Sequence, residues 1–297
     1  MYHQPVMLNE TIEGLAIRPG GIYVDVTYGG GGHSAVILDK LGDGRLIAFD
    51  QDLDAMANKI DDQRLTLINH NFRYLKNFLK YHDAMPVDGI LADLGVSSHQ
   101  FDVADRGFSL RFPGELDLRM NRQQGKTAQH VLNEYPLDDL VRVFREYGEL
   151  NNAWAIGNAI VKAREIKPLV RFEDMQAVLM RFAPVAKDIK FFAKILQALR
   201  IEINEELEAL KEFLMQAAQV LKPGGRLVVM SYHSLEDRLV KNFLKTGNFE
   251  GIVEQDFYGN VNSTFNVITR KPLVPQEKEL ELNSRSRSAK LRIAEKL

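Results

Sequence analysis

The chain has 297 residues, of which 45% are hydrophobic and 26% charged, which is the usual composition of a globular protein. It contains no cysteine, and this excludes disulfides, zinc–thiolate sites and any mechanism that uses a cysteine nucleophile. No apolar run reaches the roughly 18 residues of a membrane span, and the first residues lack the pattern of a secretory signal. We therefore expect a cytoplasmic protein that does not associate with a membrane.

The net charge of −2 is unevenly distributed along the chain. Residues 102–200 carry 16 basic and 13 acidic side chains, and residues 268–297 carry 8 and 4. A general nucleic-acid binder is usually basic throughout, and this chain is not. The two basic segments either face an anion or are solvated surfaces, and composition alone leaves both interpretations open.

Strand and helix patterns alternate through the first hundred residues. Strands are predicted for four apolar, β-branched runs: 21–27, 44–50, 64–70 and 87–95. Helices are predicted for the three segments between them: 31–42, 53–60 and 72–82. This alternation predicts an α/β fold with a doubly wound parallel sheet. Right-handed crossovers then bring the carboxyl ends of the strands to one edge, where ligands bind.

The pattern changes near residue 102, where glycine, proline and dense charge indicate a loop, and helical patterns follow from about 127 to 200. A strand at 224–233 and a helix at 235–245 come next, and 272–288 is predicted to be an exposed connection. Three further strands are predicted at 249–257, 264–270 and 289–295. We predict a discontinuous Rossmann-like domain of residues 1–101 and 201–297, with an inserted helical domain of residues 102–200 that recognises the substrate.

Four consecutive glycines stand in the stretch DVTYGGGGHS, at the turn between the first strand and the first helix of the sheet. Glycines at such a turn let the backbone approach a ligand, and the helix start offers free N–H donors. The stretch lacks the Lys-Ser/Thr ending of a P-loop. Gly30, Gly32 and Ala35 match the glycine pattern of dinucleotide-binding proteins, but this match alone is weak evidence for a dinucleotide. A tight glycine turn that binds no ligand would show the same residues.

Three carboxylates follow predicted strands at the same edge. Asp50 ends the second strand, where it would accept the ribose hydroxyls of either NAD or S-adenosylmethionine. Asp93 belongs to the DLG with which the fourth strand ends, and Asp25, in the first strand, is expected to point to the same edge. Three carboxylates repel a pyrophosphate but suit a sulfonium and an amino group, so the sequence favours S-adenosylmethionine. Phe72, after the third strand, packs either on an adenine or in the core.

Several stretches closely resemble the RsmH (MraW) family of bacterial methyltransferases, in the family's order from residue 3 to the C-terminus. They are HQPVMLNE, DVTYGGGGHS, FDQD, NFRYL, DLGVSSHQFD, RGFSLRFPGELDLRM, QALRIEIN, LKPGGRLVVMSYHSLEDRLVK and SRSRSAKLRIAEK. The family uses S-adenosylmethionine to methylate the N4 of a cytidine in the decoding region of small-subunit ribosomal RNA. The chain departs from the family pattern at KFFAKIL (190–196), where many members have a His-Pro-Ala-x-Arg-like stretch. Any substrate role assigned to the histidine or arginine of that stretch is therefore in doubt for this chain.

The resemblance implies the sheet of a class I S-adenosylmethionine-dependent methyltransferase and a set of cofactor contacts. By position these contacts are Gly31, Gly32, His33, Asp50, Phe72, Asp93 and Gln100. Gln100 is implied by the resemblance alone. His33, without the resemblance, is as readily a histidine that makes a local bond at a helix start.

Methylation of an exocyclic amine needs no covalent intermediate, whereas methylation of cytosine C5 normally needs a cysteine. We predict that Asp93, or a backbone carbonyl of residues 94–97, accepts a hydrogen bond from the N4 amine. His233 is a second candidate catalytic residue, on the substrate side. Ser234 with Asp237 resembles a helix capping box, and Asp237 is also predicted to pair with Arg238 on the helix surface.

Basic and aromatic residues of the loop and the tail are candidates for RNA contact, because arginines suit phosphate oxygens and aromatic rings stack on flipped bases. In the loop they are Arg106, Phe108, Arg111, Phe112, Arg119 and Arg122. In the tail they are Arg285, Arg287, Lys290 and Arg292. The expected partner is 16S rRNA within the small ribosomal subunit. We expect no metal, and either a monomer or a homodimer.

Three rival functions stay open at this stage. A nicotinamide-dinucleotide oxidoreductase would share the glycine turn and Asp50. A scaffold for RNA or protein would bind through the helical insertion without turnover. A methyltransferase acting on another RNA base or on protein would use the same cofactor motifs.

Overall fold

The computed structural model describes residues 5–110, 114–123, 125–253, 255 and 263–297. The chain divides into two compact units, one of Met1–Gly95 with Leu207–Leu297 and one of Val96–Glu206. The predicted assignment of the insertion to substrate recognition stays a prediction. Among the described residues, no helix combines the length and the apolar character that crossing a bilayer requires.

A seven-stranded mixed sheet forms the framework of the first unit. In chain order its strands are β1 (Ile22–Asp25), β2 (Arg45–Asp50), β3 (Leu65–Asn69), β4 (Val87–Asp93), β5 (Leu221–Ser231), β6 (Phe265–Val267) and β7 (Lys290–Lys296). Across the sheet the order is β3-β2-β1-β4-β5-β7-β6. The first five strands pair in parallel, and β7 is antiparallel to β5 and β6. The predicted doubly wound α/β fold is confirmed, with its switch point between β1 and β4.

Helices cover both faces of this sheet, which is why its strands are almost continuously apolar. The helices are α1 (Leu8–Leu15), α2 (Gly32–Lys40), α3 (Leu75–Tyr81), α10 (Glu206–Val220), α11 (Ser234–Thr246) and α12 (Glu277–Leu282). Alternate residues of β2 enter opposite cores because side chains alternate along a strand. Ile47 and Phe49 join the core with α3 and α10, whereas Leu46 and Ala48 join the core with α1 and α2.

The second unit is helical, as the pattern of residues 127–200 predicts. Its helices are α4 (Ser98–Asp102), α5 (Ala128–Glu134), α6 (Leu137–Glu146), α7 (Ala153–Arg164), α8 (Phe172–Leu179) and α9 (Asp188–Asn204). They enclose one apolar core, in which Phe144, Ile160 and Phe192 are almost fully buried. The preceding loop packs into the same core through Leu116 and Leu118.

Several predicted elements differ from the observed ones. The helix predicted at 53–60 is a 3-10 helix, Leu53–Asn58, whose start is capped by the Asp52 side chain. Residues 249–253 form no strand, although one is predicted at 249–257, and residues 254, 256 and 257 lie outside the described part of the chain. Helices α1, α4 and α12 were not predicted; α12 has only six residues and buries none of them, so its sequence shows no apolar period.

The loop of the second unit depends on Gly107, which we expect to tolerate no side chain. Its φ is +76°, and a Cβ there would run into the backbone carbonyl of Glu115. Gly125 is the matched control, since its φ is +85° but nothing lies within 4 Å of its ideal Cβ position. Gly125→Ala should lower the free energy of unfolding by about 1–2 kcal/mol, because alanine disfavours the left-handed conformation. Gly107→Ala should lower it by more, because the new Cβ also meets the Glu115 carbonyl. Thermal unfolding of the two variants measures this, and equal shifts in Tm would contradict the steric argument.

Candidate active site

The glycine turn joins β1 to α2 and wraps around the side chain of Tyr28. The Tyr28 hydroxyl donates to the carbonyl of Asn58 (2.8 Å) and accepts from the N–H of Ile60 (3.0 Å). Gly29 and Gly31 have φ of +52° and +77°, and a Cβ on Gly31 would lie 2.7 Å from the Tyr28 hydroxyl. The turn therefore needs glycine for both conformation and space.

Asp50, at the end of β2, is tied directly to this turn. Its Oδ2 accepts the N–H of Gly29 (2.7 Å), and its Oδ1 accepts the N–H of Asp52 (2.8 Å). Burial raises the pKa of Asp50 to about 6, against the lowering effect of these two hydrogen bonds. A carboxylate has about four acceptor positions, so each oxygen retains capacity for a further donor, such as a hydroxyl.

Asp93, at the end of β4, is held by three contacts. Its backbone N–H donates to the hydroxyl oxygen of Thr27 (2.7 Å), and its Oδ1 accepts from the hydroxyl of Tyr232 (2.8 Å). Its Oδ2 lies 3.8 Å from Nδ1 of His33. Burial raises the pKa of Asp93 to about 6, although His33 and the Tyr232 hydrogen bond both lower it.

Asp25 is buried beneath the turn and does not open to the ligand edge as the strand pattern indicated. Its two oxygens accept from the hydroxyl of Ser34 (2.7 Å) and the N–H of Thr27 (3.1 Å). Burial raises the pKa of Asp25. Its role in the structure is to fix the start of α2 against the end of β1, while its charge still acts on Asp50 and Asp93.

The remaining predicted cofactor contacts lie in different surroundings. His33 is buried, and its Nε2 lies 3.1 Å from the carbonyl oxygen of Val6. Phe72 is half-buried after β3 and packs edge-on against Phe213, at 5.4 Å between ring centroids. Gln100 belongs to the second unit, where its side-chain oxygen accepts the N–H of Ser97 (3.0 Å) in the capping box of α4.

The segment after β5 is a helix start, but its capping residues differ from the prediction. His233, and not Ser234, is the N-cap of α11. Its ring nitrogen accepts the N–H of Glu236 (3.5 Å), and the Glu236 carboxylate accepts the N–H of His233 (3.3 Å). The predicted box of Ser234 and Asp237 is thus displaced by one residue, because the helix begins at Ser234. The His233 side chain, predicted as catalytic, is engaged as a cap.

Asp237, which was predicted to pair with Arg238, forms its ion pairs with two basic residues of the tail. Its two oxygens lie 2.7 Å from Nε of Arg292 and 3.2 Å from Nζ of Lys290. These two basic residues of β7 are therefore engaged within the protein. Arg287 is exposed and Arg285 half-buried, in the 3-10 helix Ser284–Ser288 that precedes β7.

The structure corrects two of the RNA contacts predicted in the loop. Arg106 is 1% exposed, and its guanidinium donates to the backbone carbonyls of Arg119 (3.2 Å) and Met120 (3.0 Å). Phe108 is buried in the core of the second unit. Both are unsuited to RNA contact because their side chains face the interior. Arg111 and Phe112 lie outside the described residues.

Arg119 and Arg122 lie nearer to the surface of the same loop. Arg119 forms a two-point ion pair with Asp117, with nitrogen–oxygen distances of 2.8 and 2.9 Å. Nε of Arg122 lies 3.8 Å from the second oxygen of Asp117, and its side chain is 52% exposed. One carboxylate thus organises both guanidinium groups.

The sequence pattern did not indicate the role of Tyr232, which supplies the hydroxyl bound to Asp93. It is one residue before His233 and immediately follows β5, at the same edge as the carboxylates. A usable signal was present, since residues just past a strand reach this edge. The neighbouring histidine and serine were the more obvious candidates for chemistry.

Comparison with known proteins gives a single family over the full length. A family model described as the MraW methylase family matches residues 1–297. A protein of Flavobacterium johnsoniae is 56% identical over 297 residues, covering 100% of this chain and 98% of that protein. A protein of Parabacteroides distasonis is 57% identical over 298 residues, with coverages of 100% and 98%. Both are named Ribosomal RNA small subunit methyltransferase H.

The raised pKa of Asp93 makes stability depend on pH in a defined direction. The folded-state pKa of about 6 exceeds the ordinary 3.8, so the contribution to stability is fully present below 3.8 and is lost as pH rises through about 6. Between about pH 5 and about pH 8 the loss from this group is about 1–2 kcal/mol. Asp93→Asn cannot titrate and should lose less stability over that range than the wild type. Thermal unfolding at both pH values measures the difference.

The control for this comparison is Asp39→Asn, because Asp39 is an exposed aspartate on α2. It should retain the pH dependence of the wild type. If Asp93→Asn retained it as well, Asp93 would not carry a raised pKa.

Proposed function

The chain belongs to the MraW methylase family, and on that premise we propose that it is an S-adenosylmethionine-dependent methyltransferase of small-subunit ribosomal RNA. The substrate part of the proposal rests on the names of the full-length relatives. The family resemblance supports the finer assignment, which is the N4 of a cytidine in the decoding region (P site) of 16S rRNA. A cytoplasmic location follows from that substrate.

The observation that carries the proposal is the cluster of three carboxylates around the glycine turn, of which Asp25 is buried and Asp50 and Asp93 are half-buried. Asp50 and Asp93 stand at the ends of β2 and β4, at one edge of the sheet, and the buried Asp25 raises the pKa of both through its charge. Such a site disfavours the pyrophosphate of a dinucleotide and favours a ligand with a sulfonium and an amino group. This supports S-adenosylmethionine over NAD.

The residues present fit that cofactor. Asp50 retains acceptor capacity on both oxygens for ribose hydroxyls, and the glycine turn offers backbone without side chains. Asp93 keeps Oδ2 available for a donor. Gly31, Gly32, His33, Phe72 and Gln100 complete the proposed contacts, carried over from the family by position.

When bound, S-adenosylmethionine supplies an electrophilic methyl group to the cytidine amine. The residues of the chain hold the amine in line with that group, and such alignment provides much of an enzyme's acceleration. The amine loses one proton as it gains the methyl group. Asp93 is the proposed acceptor, because its carboxylate is mostly ionised at neutral pH when its pKa is about 6 and such a pKa suits general base catalysis.

Substrate recognition is assigned to the second unit and to exposed basic residues. Arg287 and Arg122 are exposed, and Arg119 and Arg285 are half-buried. With Arg106 and Phe108 buried, these arginines are the described candidates for phosphate contact. Because the protein as a whole is slightly acidic, we propose that it acts on a folded ribosomal particle, whose shape supplies selectivity, and not on free RNA.

The experiment that tests the proposal combines methyl-labelled S-adenosylmethionine with small ribosomal subunits that lack the modification. Free 16S rRNA runs in parallel, and the products are digested to nucleosides for mass spectrometry. We expect label in N4-methylcytidine, with more on subunits than on free RNA. Label in another nucleoside would support the rival that modifies another base, and cofactor binding without label would support a scaffold.

Asp50→Asn should weaken the binding of S-adenosylmethionine by roughly 10- to 100-fold, because one charged acceptor of the ribose hydroxyls is lost. Isothermal titration calorimetry measures this, with Asp39→Asn as a matched variant that should bind as the wild type does. Titration with NAD under the same conditions should show no saturable binding. Unchanged affinity in Asp50→Asn would place the ribose elsewhere.

A further inference from the structure

We propose that Tyr232 is a positioning residue for the methyl transfer, because its hydroxyl holds Oδ1 of Asp93 and thereby presents Oδ2 to the proton of the substrate amine. This role rests on the proposed function. Neither the family resemblance nor the strand-end pattern assigns any role to Tyr232. The contact itself, 2.8 Å between the hydroxyl and Oδ1, joins the segments that follow two neighbouring strands.

The sheet dictates where the two side chains meet. Strands β4 and β5 are parallel neighbours in which Asp93 pairs with Met230. Tyr232 is two residues beyond Met230 and follows the last residue of β5. It therefore lies just past the edge of the sheet at which β4 ends with Asp93. Gly95 lies against the ring, since a Cβ there would be 3.6 Å from Cδ2 of Tyr232.

Tyr232 is itself fixed from the other side. Its backbone N–H donates to Oε2 of Glu236 (2.9 Å), and Glu236 is buried in the first turn of α11. The side chain packs against the buried core of α1 and α2. Because Tyr232 is held at both its backbone N–H and its hydroxyl, it fixes the orientation of the Asp93 carboxylate that it contacts.

The hydroxyl can only donate in this arrangement. Burial and the nearby Asp93 and Glu236 raise the pKa of Tyr232 well above its usual 10, so the phenol stays protonated. It cannot take the amine proton, and it leaves that task to Oδ2 of Asp93. In the step, the N4–H bond breaks, its electron pair stays on nitrogen, and the proton binds Oδ2 to give a neutral carboxylic acid.

Four groups on different elements act on the titration of Asp93. His33 on α2 and the Tyr232 hydroxyl lower its pKa, whereas Asp25 at the end of β1 and Glu236 on α11 raise it. Removing the Tyr232 hydroxyl removes one of the two lowering influences. The pKa of Asp93 should then rise, and the fraction ionised at neutral pH should fall.

The first test measures that titration directly and needs no substrate. In protein labelled with ¹³C at the aspartate carboxyl carbons, Asp93→Asn identifies the signal of Asp93. In Tyr232→Phe we expect the midpoint of that signal to move upward by roughly half a unit or more. Tyr23→Phe is the matched control, since Tyr23 is a buried tyrosine of β1 whose hydroxyl bonds the backbone of residue 18; it should leave the midpoint unchanged.

The second test uses methyl transfer to undermodified small subunits. Tyr232→Phe should lower kcat roughly tenfold near neutral pH, mainly because the Asp93 carboxylate is no longer oriented toward the amine, and should move the acid limb of the kcat–pH profile upward with the NMR midpoint. The affinity for S-adenosylmethionine at about pH 8 should stay within about twofold. A purely packing role would lower Tm but move neither the midpoint nor the limb.

A variant that preserves the shape of the Tyr232 side chain serves as a control for misfolding. Incorporation of 3-fluorotyrosine at position 232 makes the phenol a stronger donor and should move the Asp93 midpoint and the acid limb downward. If both stay fixed in Tyr232→Phe and in the fluorinated protein while the wild type methylates subunits, the positioning role is wrong and the proposed function stands. If the wild type transfers no methyl group to subunits, the proposed function itself fails, and the role fails with it.

Discussion

The bond from the Gly29 N–H to the Asp50 carboxylate is the contact on which the site depends. It joins the end of β2 to the turn that leaves β1, and its 2.7 Å length is that of a charge-assisted hydrogen bond. Since β1 and β2 are parallel neighbours, the chain makes this contact when the register is correct and Gly29 adopts its left-handed conformation, with a φ of +52°. The fold, the glycines and the position of the carboxylate therefore require one another.

The same arrangement is electrostatically unfavourable in the free protein. Asp25, Asp50 and Asp93 all have pKa values above the ordinary 3.8, which means that the folded state disfavours their charged forms relative to the unfolded chain. A cationic ligand at this edge would lower the pKa of Asp50 and Asp93, because its charge would act on both carboxylates in a medium of low dielectric. Folding therefore loses stability at this cluster, and clusters of shifted pKa values are common at functional sites.

The sequence was sufficient for the framework and for one class of site residue. Strand ends and glycine turns follow from local patterns, so the doubly wound sheet and the positions of Asp50 and Asp93 were predictable. Whether a side chain at those positions faces outward was not predictable, because that depends on its tertiary partners. Asp25 is turned inward by Ser34 and Thr27, and Arg106 is drawn into the second unit by two backbone carbonyls. The sequence around Arg106 is that of a charged, polar loop, and such a pattern does not predict a buried arginine.

The stretch SYHSLEDR shows why a dense motif is hard to interpret residue by residue. His233 and Glu236 satisfy the first backbone groups of α11, and Asp237 anchors Lys290 and Arg292 of β7. These residues hold the helix start against the sheet, and Glu236 also accepts the backbone N–H of Tyr232. The Nδ1 atom of His233 caps the helix, and a catalytic role for this residue stays a prediction, whereas the hydroxyl of the tyrosine beside it bonds the Asp93 carboxylate. A carboxylate at a strand end has rotational freedom of its own, so a site that uses one oxygen for chemistry needs a rigid donor on the other, and the adjacent helix start provides that rigidity.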